Sequence, residues 1–192
     1  MPYGSRGTSL LKGSMVLLLS AFCLFLTVSN AQTDKKQLLP YDDADGYTVL
    51  SSIIDARTNK LKSEPVSIFR QTISEEAFRG VRFQCSGSIP AEFQSAAEDF
   101  DKKAKTRFLL KREFSIRKKY KFVAPSQAAS TSATFSVSAV GFDETKDHAV
   151  AIVRHIVHSG GTIGGSSTFY LLRKVGQSWQ EATEIPQCGR IY

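Results

Sequence analysis

The sequence predicts an α+β domain in which one or two helices pack on a curved antiparallel sheet of four to six strands. The final third of the chain consists of β-rich runs separated by turns, and the middle contains one clear amphipathic helix. The length, 192 residues, suits a single domain once a leader is removed. We expect a leader at 1–31, a flexible linker at 32–40 and the domain at 41–192.

The first 31 residues have the pattern of a cleaved signal peptide. Arg6 and Lys12 precede an apolar run, Met15–Val28, and Ser29 and Ala31 have the small side chains that signal peptidase accepts. The run spans 14 residues, short of the ~20 that a bilayer-spanning helix needs. We therefore expect a secreted or periplasmic protein with no transmembrane span in the mature chain.

Three elements are predicted before the central helix. Acidic residues within 42–45 precede apolar positions from Tyr47 to Ile54, a pattern typical of a short helix with favourable charge in its first turn. Residues Pro65–Phe69 have the composition of a strand, and the proline restricts them to a strand start or a sheet edge. A further short strand is expected at Phe78–Cys85.

The clearest helix is predicted over 88–105. Pro90 suits a first helical turn, where the missing N–H costs nothing. Acidic side chains come early in the segment and lysines come late, which matches the helix dipole. One face carries apolar side chains at helical spacing: Phe93, Ala96, Ala97, Phe100 and Ala104.

The remaining elements are predicted strands. Short strands are expected at Phe108–Ile116 and Tyr120–Val123, and four longer runs with turn chemistry between them predict an antiparallel meander. In the second of these runs both alternating sets of side chains are largely apolar, so we expect a central strand with the 88–105 helix covering one face. The four runs are Thr134–Phe142, Ala149–His158, Thr168–Val175 and Trp179–Ala182.

Motifs for metal or nucleotide binding are weak. His148, His155 and His158 lie on one predicted strand, where residues three apart point to opposite faces and the outer two are roughly 33 Å apart. The glycine-rich segment Ser159–Ser167 has Ser166 where a phosphate-binding loop needs lysine, and a strand follows it. We predict a mobile hairpin loop there, with a backbone nest for a small anion as the alternative. No catalytic residue, metal ligand, nucleotide site or other cofactor is predicted.

Cys85 and Cys188 are candidates for a disulfide. Cys23 leaves with the predicted leader, so an even pair of cysteines remains in an oxidising compartment. The bond would close a loop of about 100 residues. Two free buried thiols are the alternative.

A basic run between Lys102 and Lys121 is the strongest candidate for a binding surface. It holds ten basic residues and one acid, with three aromatic side chains interleaved and a fourth, Phe122, directly after it, in a chain of net charge +7. Such a pattern attracts anionic ligands. The alternative is a solvated helix end and a strand edge that lysines protect against aggregation. The residues expected to contact an anionic partner are Lys111, Arg112, Arg117, Lys118, Lys119 and Lys121.

Two motifs in the C-terminal half carry a resemblance. Val140–Asp143 is V-G-F-D, and after the glycine-rich segment Tyr170–Trp179 is Y-L-L-R-K-V-G-Q-S-W. They resemble uncharacterised secreted bacterial single-domain proteins with a V-G-F-(N/D) strand, a glycine-rich hairpin and a Y-x-L-x-K-x-x-G-x-W ending. The closing hairpin is also similar to those of cystatin-like and nuclear-transport-factor-like folds. The resemblance implies a fold and no activity, so no functional residue is carried over.

These observations favour a non-enzymatic secreted or envelope binding domain with a basic surface. Its expected partner is an anionic envelope polymer, a lipid or an acidic protein, and not a nucleotide. Two alternatives stay open: a small hydrolase with an unrecognised site near Gly160–Gly165, and an inhibitor or immunity-type protein. The missing G-x-S-x-G elbow counts against the hydrolase.

Overall fold

The computed structural model confirms the α+β class. It describes residues 38–59, 65–74, 76, 89–125, 127, 133–159, 162–182 and 188–191. In chain order the elements are β1 (Leu39–Pro40), α1 (Ala44–Thr58), β2 (Val66–Phe69), a 3₁₀ turn (Ala91–Phe93) continuing into α2 (Gln94–Ala104), β3 (Phe108–Leu109), β4 (Tyr120–Val123), β5 (Ala133–Val137), β6 (Gly141–Phe142), β7 (His148–Ser159), β8 (Thr162–Val175), β9 (Ser178–Glu181) and β10 (Cys188–Ile191). Within the described residues, neither helix has the length and apolarity that crossing a bilayer requires.

The main sheet is mixed and larger than predicted. Within the described residues it has eight strands, ordered β10-β8-β7-β5-β2-β4, with β6 beside β7 and β9 beside β8. The strands from β5 onward pair antiparallel, as predicted, but β2 is parallel to both β4 and β5. The reason is the long connection between β2 and β4: it contains α2, and such a crossover returns the chain in its original direction.

Each face of the sheet is covered by one helix. Along β7, Ala149, Ala151 and Val153 pack in a core with α1, whereas Val150 and Ile152 pack in a second core with α2. The predicted central strand and its covering helix are therefore confirmed. The α2 side chains in the second core are those of the predicted apolar stripe: Phe93, Ala96, Ala97, Phe100 and Ala104.

Helix α1 begins where its acidic residues predict. The Asp43 carboxylate accepts the Gly46 N–H at 3.1 Å, which satisfies one of the donors that a helix start leaves without a partner. The buried side of the helix includes Tyr47, Leu50 and Ile54, which pack against the sheet. This contact holds α1 on the face of the sheet opposite α2.

Several predicted boundaries are wrong. Leu39 and Pro40, assigned to the linker, pair with β3. The predicted strand Phe108–Ile116 shortens to the two residues of β3. Most of the glycine-rich segment, predicted as a loop, is the first part of β8. The leader at 1–31, the expected strand Phe78–Cys85 and the glycines at 160 and 161 lie outside the described residues.

Candidate anion-binding site

A cavity of about 890 Å³ lies on the α2 face of the sheet, beside that helix rather than beneath it. We call it the basic cavity. The described residues that line it are Phe69–Ile73, Arg107, Leu109–Arg112, Phe122–Pro125, Gln127, Ser136 and Arg154.

The floor of the basic cavity is one cross-strand row of side chains. The register pairs Phe69 with Val123, Ile68 with Phe135 and Ser136 with Arg154, so Val123, Phe69, Ser136 and Arg154 follow each other across β4, β2, β5 and β7 on the α2 face. The Arg154 Nε donates to Ser167 Oγ at 3.0 Å, which holds the guanidinium at this position. The Arg154 cation is therefore part of the cavity floor. It lies on the same face of β7 as Val150 and Ile152, which α2 covers.

Two chain segments form the wall of the basic cavity. The chain leaving β2 runs antiparallel to β3: Leu110 N–H donates to Arg70 O at 2.9 Å, and Thr72 N–H donates to Phe108 O at 3.0 Å. Gln71 also pairs with Leu109 as an isolated bridge. This pairing brings Arg70 beside the stretch from Arg107 to Arg112, although the two are far apart in sequence.

The charge lining the basic cavity has one sign. Five of its described lining residues are cationic, and none of them is acidic. Lys111 is paired with Asp42, which lies outside the lining; the Asp42 carboxylate raises the pKa of Lys111. The Arg112 guanidinium lies 6.0 Å from the centre of the Phe122 ring. The cationic lining residues are Arg70, Arg107, Lys111, Arg112 and Arg154.

The structure separates the six basic residues expected to form one surface. Lys111 and Arg112 line the basic cavity. Arg117 is held elsewhere, because its backbone N–H and Nε contact the Asp55 carboxylate of α1 at 2.9 and 3.4 Å. Lys118 and Lys119 lie in the turn before β4, outside the described lining, as does Lys121 on β4.

Sequence reasoning missed three of the five cations as site residues. Arg70 and Arg154 lie outside the basic run, and Arg107 lies within it but was not selected. The alternation of β7 was a usable signal for Arg154, because its side chain interrupts an apolar set that includes Val150, Ile152 and Ile156. No local pattern marks Arg70, whose place depends on the pairing with β3.

A second charged depression, of about 740 Å³, lies where the start of α1, one side of α2 and the turn after β6 meet. We call it the acidic cleft. Its acids are partly neutralised by lysines in the same lining, and no described group of three or more His, Cys, Asp or Glu side chains could hold a metal ion. Its acidic residues are Asp42, Asp43, Asp45, Glu98, Asp99, Asp143 and Glu144.

The two histidines with described side chains do not converge. His148 Nδ1 lies 2.8 Å from Asp143 Oδ2, and its ring packs edge-on against Phe93. His155 stacks on Phe135 with ring centres 4.6 Å apart, and burial together with Arg57 lowers its pKa. The side chain of the third histidine, at 158, lies outside the described set.

The environment of His155 does not support the hydrolase alternative. Its Nε2 is buried and has no hydrogen-bond partner among the described residues, so it makes no hydrogen bond to a described nucleophile. Ser166 lies opposite His155 in the ladder, within the segment predicted as a mobile loop. These residues form paired strand rather than an open catalytic loop.

The disulfide stays a prediction. Cys85 lies outside the described residues, and Cys188 opens β10, where its backbone pairs with Phe169 and its side chain is not described.

The chain matches no family model, no curated protein and no solved structure with which it was compared. The resemblance to uncharacterised secreted bacterial proteins therefore stays an expectation, and the candidate site is supported by its geometry and charge.

Proposed function

We propose that the protein is a non-enzymatic binding domain for anionic ligands and that the basic cavity is its binding site. The observation that carries the proposal is the lining of this cavity: five cations and, among the described residues, no acid. Like charges gathered around one concavity repel each other, and an anion from outside relieves that repulsion.

The cations suit phosphate or carboxylate groups. Four of the five are arginines, whose planar guanidinium donates paired hydrogen bonds to such anions. Arg70 and Arg112 are exposed, and neither forms an ion pair with a described residue, so both are accessible to a ligand. The predicted leader adds a secreted or periplasmic setting to the proposal, with an anionic envelope component or an acidic protein as the source of the ligand.

The proposal is tested by titrating the full chain with inorganic tripolyphosphate and measuring binding by calorimetry at low and high salt. We expect binding that weakens as salt rises. The double variant Arg70→Glu/Arg112→Glu should lower the affinity about tenfold or more, because each lost charge-assisted hydrogen bond contributes about 1.5–3 kcal/mol and about 1.4 kcal/mol is tenfold.

The matched control is Lys118→Glu/Lys119→Glu, which makes the same change in net charge outside the described lining of the basic cavity. We expect it to lower the affinity no more than about threefold, through the long-range field alone. Equal losses in the two variants would show a diffuse surface effect, and absent binding to the wild type would remove the proposal.

A further inference from the structure

The basic cavity combines two kinds of surface. Its cations lie beside apolar side chains that are only half-buried and therefore still offer surface to a ligand: Phe69, Ile73, Leu109 and Phe122. Such surface does not stabilise a purely ionic ligand, because apolar side chains cannot replace the hydrogen bonds that water makes to an anion.

The arrangement of the cations favours a compact ligand over a polymer. A charged polymer is bound by cations spaced along a track. Here the cations converge on one concavity, whereas Arg117 is turned towards Asp55 and the neighbouring lysines at 118 and 119 lie outside the lining. The cavity volume, about 890 Å³, is in the range of small-molecule sites, roughly 300–1,000 Å³.

We infer that the basic cavity binds a soluble single-chain amphiphile whose headgroup is a phosphate or a carboxylate. This inference rests on the proposed function and names its ligand class. The headgroup contacts Arg70 and Arg112 at the exposed rim, and the alkyl chain lies on Phe69, Ile73 and Leu109. Removing apolar surface from water on both sides drives the second contact.

The test is a chain-length series on the wild-type protein. The full chain is titrated with ethyl, butyl, hexyl and octyl phosphate, each below its micellar concentration, and with the matching alkyl carboxylates. Each added methylene should tighten binding about two- to fourfold until the cavity is filled, because one buried methylene is worth roughly fourfold in affinity. The matching alkyltrimethylammonium ions should bind at least about tenfold more weakly.

Two variants test which residues contact the alkyl chain and which contact the headgroup. Ile73→Ser should flatten the dependence of affinity on alkyl chain length, because it replaces part of the apolar wall by a polar side chain. The Arg70→Glu/Arg112→Glu variant should weaken the whole phosphate series by a similar factor. Both variants keep residues 1–31, so any binding of an alkyl chain to the apolar run there is common to all of them.

The outcomes separate this inference from the proposed function. An affinity that does not change from ethyl to octyl phosphate, with tripolyphosphate still bound, would overturn the amphiphile and leave anion binding standing. Binding to anionic phospholipid vesicles without binding to any monomeric alkyl phosphate or carboxylate would also overturn it. If neither tripolyphosphate nor any amphiphile binds, both proposals fail.

Discussion

The basic cavity and the acidic cleft are both charged depressions, but only one compensates its charge from within. In the acidic cleft, Lys103 Nζ lies 2.8 Å from Asp99 and 3.5 Å from Asp43, and Lys146 Nζ lies 2.6 Å from Asp45. The described lining of the basic cavity contains no carboxylate that could do the same. The sign of a patch therefore says little about function, whereas exposed cations such as Arg70 and Arg112, which form no ion pair with a described residue, favour an anionic ligand.

The largest loss of stability is expected where β6 packs on α2, next to the acidic cleft. Gly141 of β6 lies against α2, and a Cβ at this position would be 2.3 Å from both Ala96 O and Phe100 N. These are backbone atoms that cannot move without displacing the helix. We expect Gly141→Ala to lower the free energy of unfolding by about 3 kcal/mol, measured by urea denaturation.

Gly164 of β8 is the control for this substitution, because a Cβ there would meet nothing within 4 Å. Gly164→Ala should change the free energy of unfolding by less than about 1 kcal/mol. Similar results for the two variants would contradict the close approach of β6 and α2.

The next largest loss of stability is expected when an ion pair inside the acidic cleft is removed. The Lys103 ammonium donates to Asp99 and to Val140 O at 3.1 Å, and it lies 5.3 Å from the centre of the Phe142 ring. Lys103→Met should therefore lower the free energy of unfolding by about 1–2 kcal/mol.

Lys105 lies two residues further along, at the C-terminal end of α2, and is exposed, so it offers the matched substitution. Lys105→Met and Arg70→Met, in the basic cavity, should each stay within about 0.5 kcal/mol of the wild type. A loss at Arg70 as large as that at Lys103 would show that the basic cavity is stabilised internally after all, and the contrast between the two depressions would disappear.

Local patterns predicted the elements of this fold but not the site that they assemble. The N-terminal cap of α1, the apolar spacing of α2 and the alternation of β7 were readable because each depends on neighbours in sequence. The parallel placement of β2 was not, since pairing partners are chosen by tertiary packing. The site required that placement: Arg70 and Arg112 meet through the antiparallel pairing of Arg70–Thr72 with Phe108–Leu110, and Arg154 joins them through the register of β5 and β7.

The turn at the edge of the acidic cleft predicts an acid-sensitive contribution to stability. Partial burial acts to raise the pKa of Asp143, but hydrogen bonds from the His148 side chain and N–H, from Asp147 N–H and from Thr145 outweigh it and lower that pKa below its ordinary value of 3.8. Because the folded pKa is the lower one, the stabilisation is fully present above pH 3.8 and is lost as the pH falls through the folded value.

Asp143→Asn should therefore lower the free energy of unfolding by about 1 kcal/mol at pH 7, since solvent screens part of the effect. The difference from the wild type should shrink as the pH falls below 4 or so. Glu144→Gln, at the exposed neighbouring position, should stay within about 0.5 kcal/mol of the wild type at pH 7. A cost for Asp143→Asn that is constant across this range would contradict a role for its charge.

The smallest effect is expected where the two depressions meet. Asp42 lines the acidic cleft, and its carboxylate pairs with Lys111, which lines the basic cavity. Asp42→Asn should free the Lys111 ammonium from its ion pair and tighten tripolyphosphate binding about two- to threefold at low salt. The gain should fade at high salt, because both side chains are substantially exposed.

Asp45→Asn removes the same charge from the cleft but releases Lys146, which does not line the basic cavity, so it should tighten binding less. Equal gains from the two variants, measured by calorimetry, would mean that the anion responds to net charge rather than to the cavity.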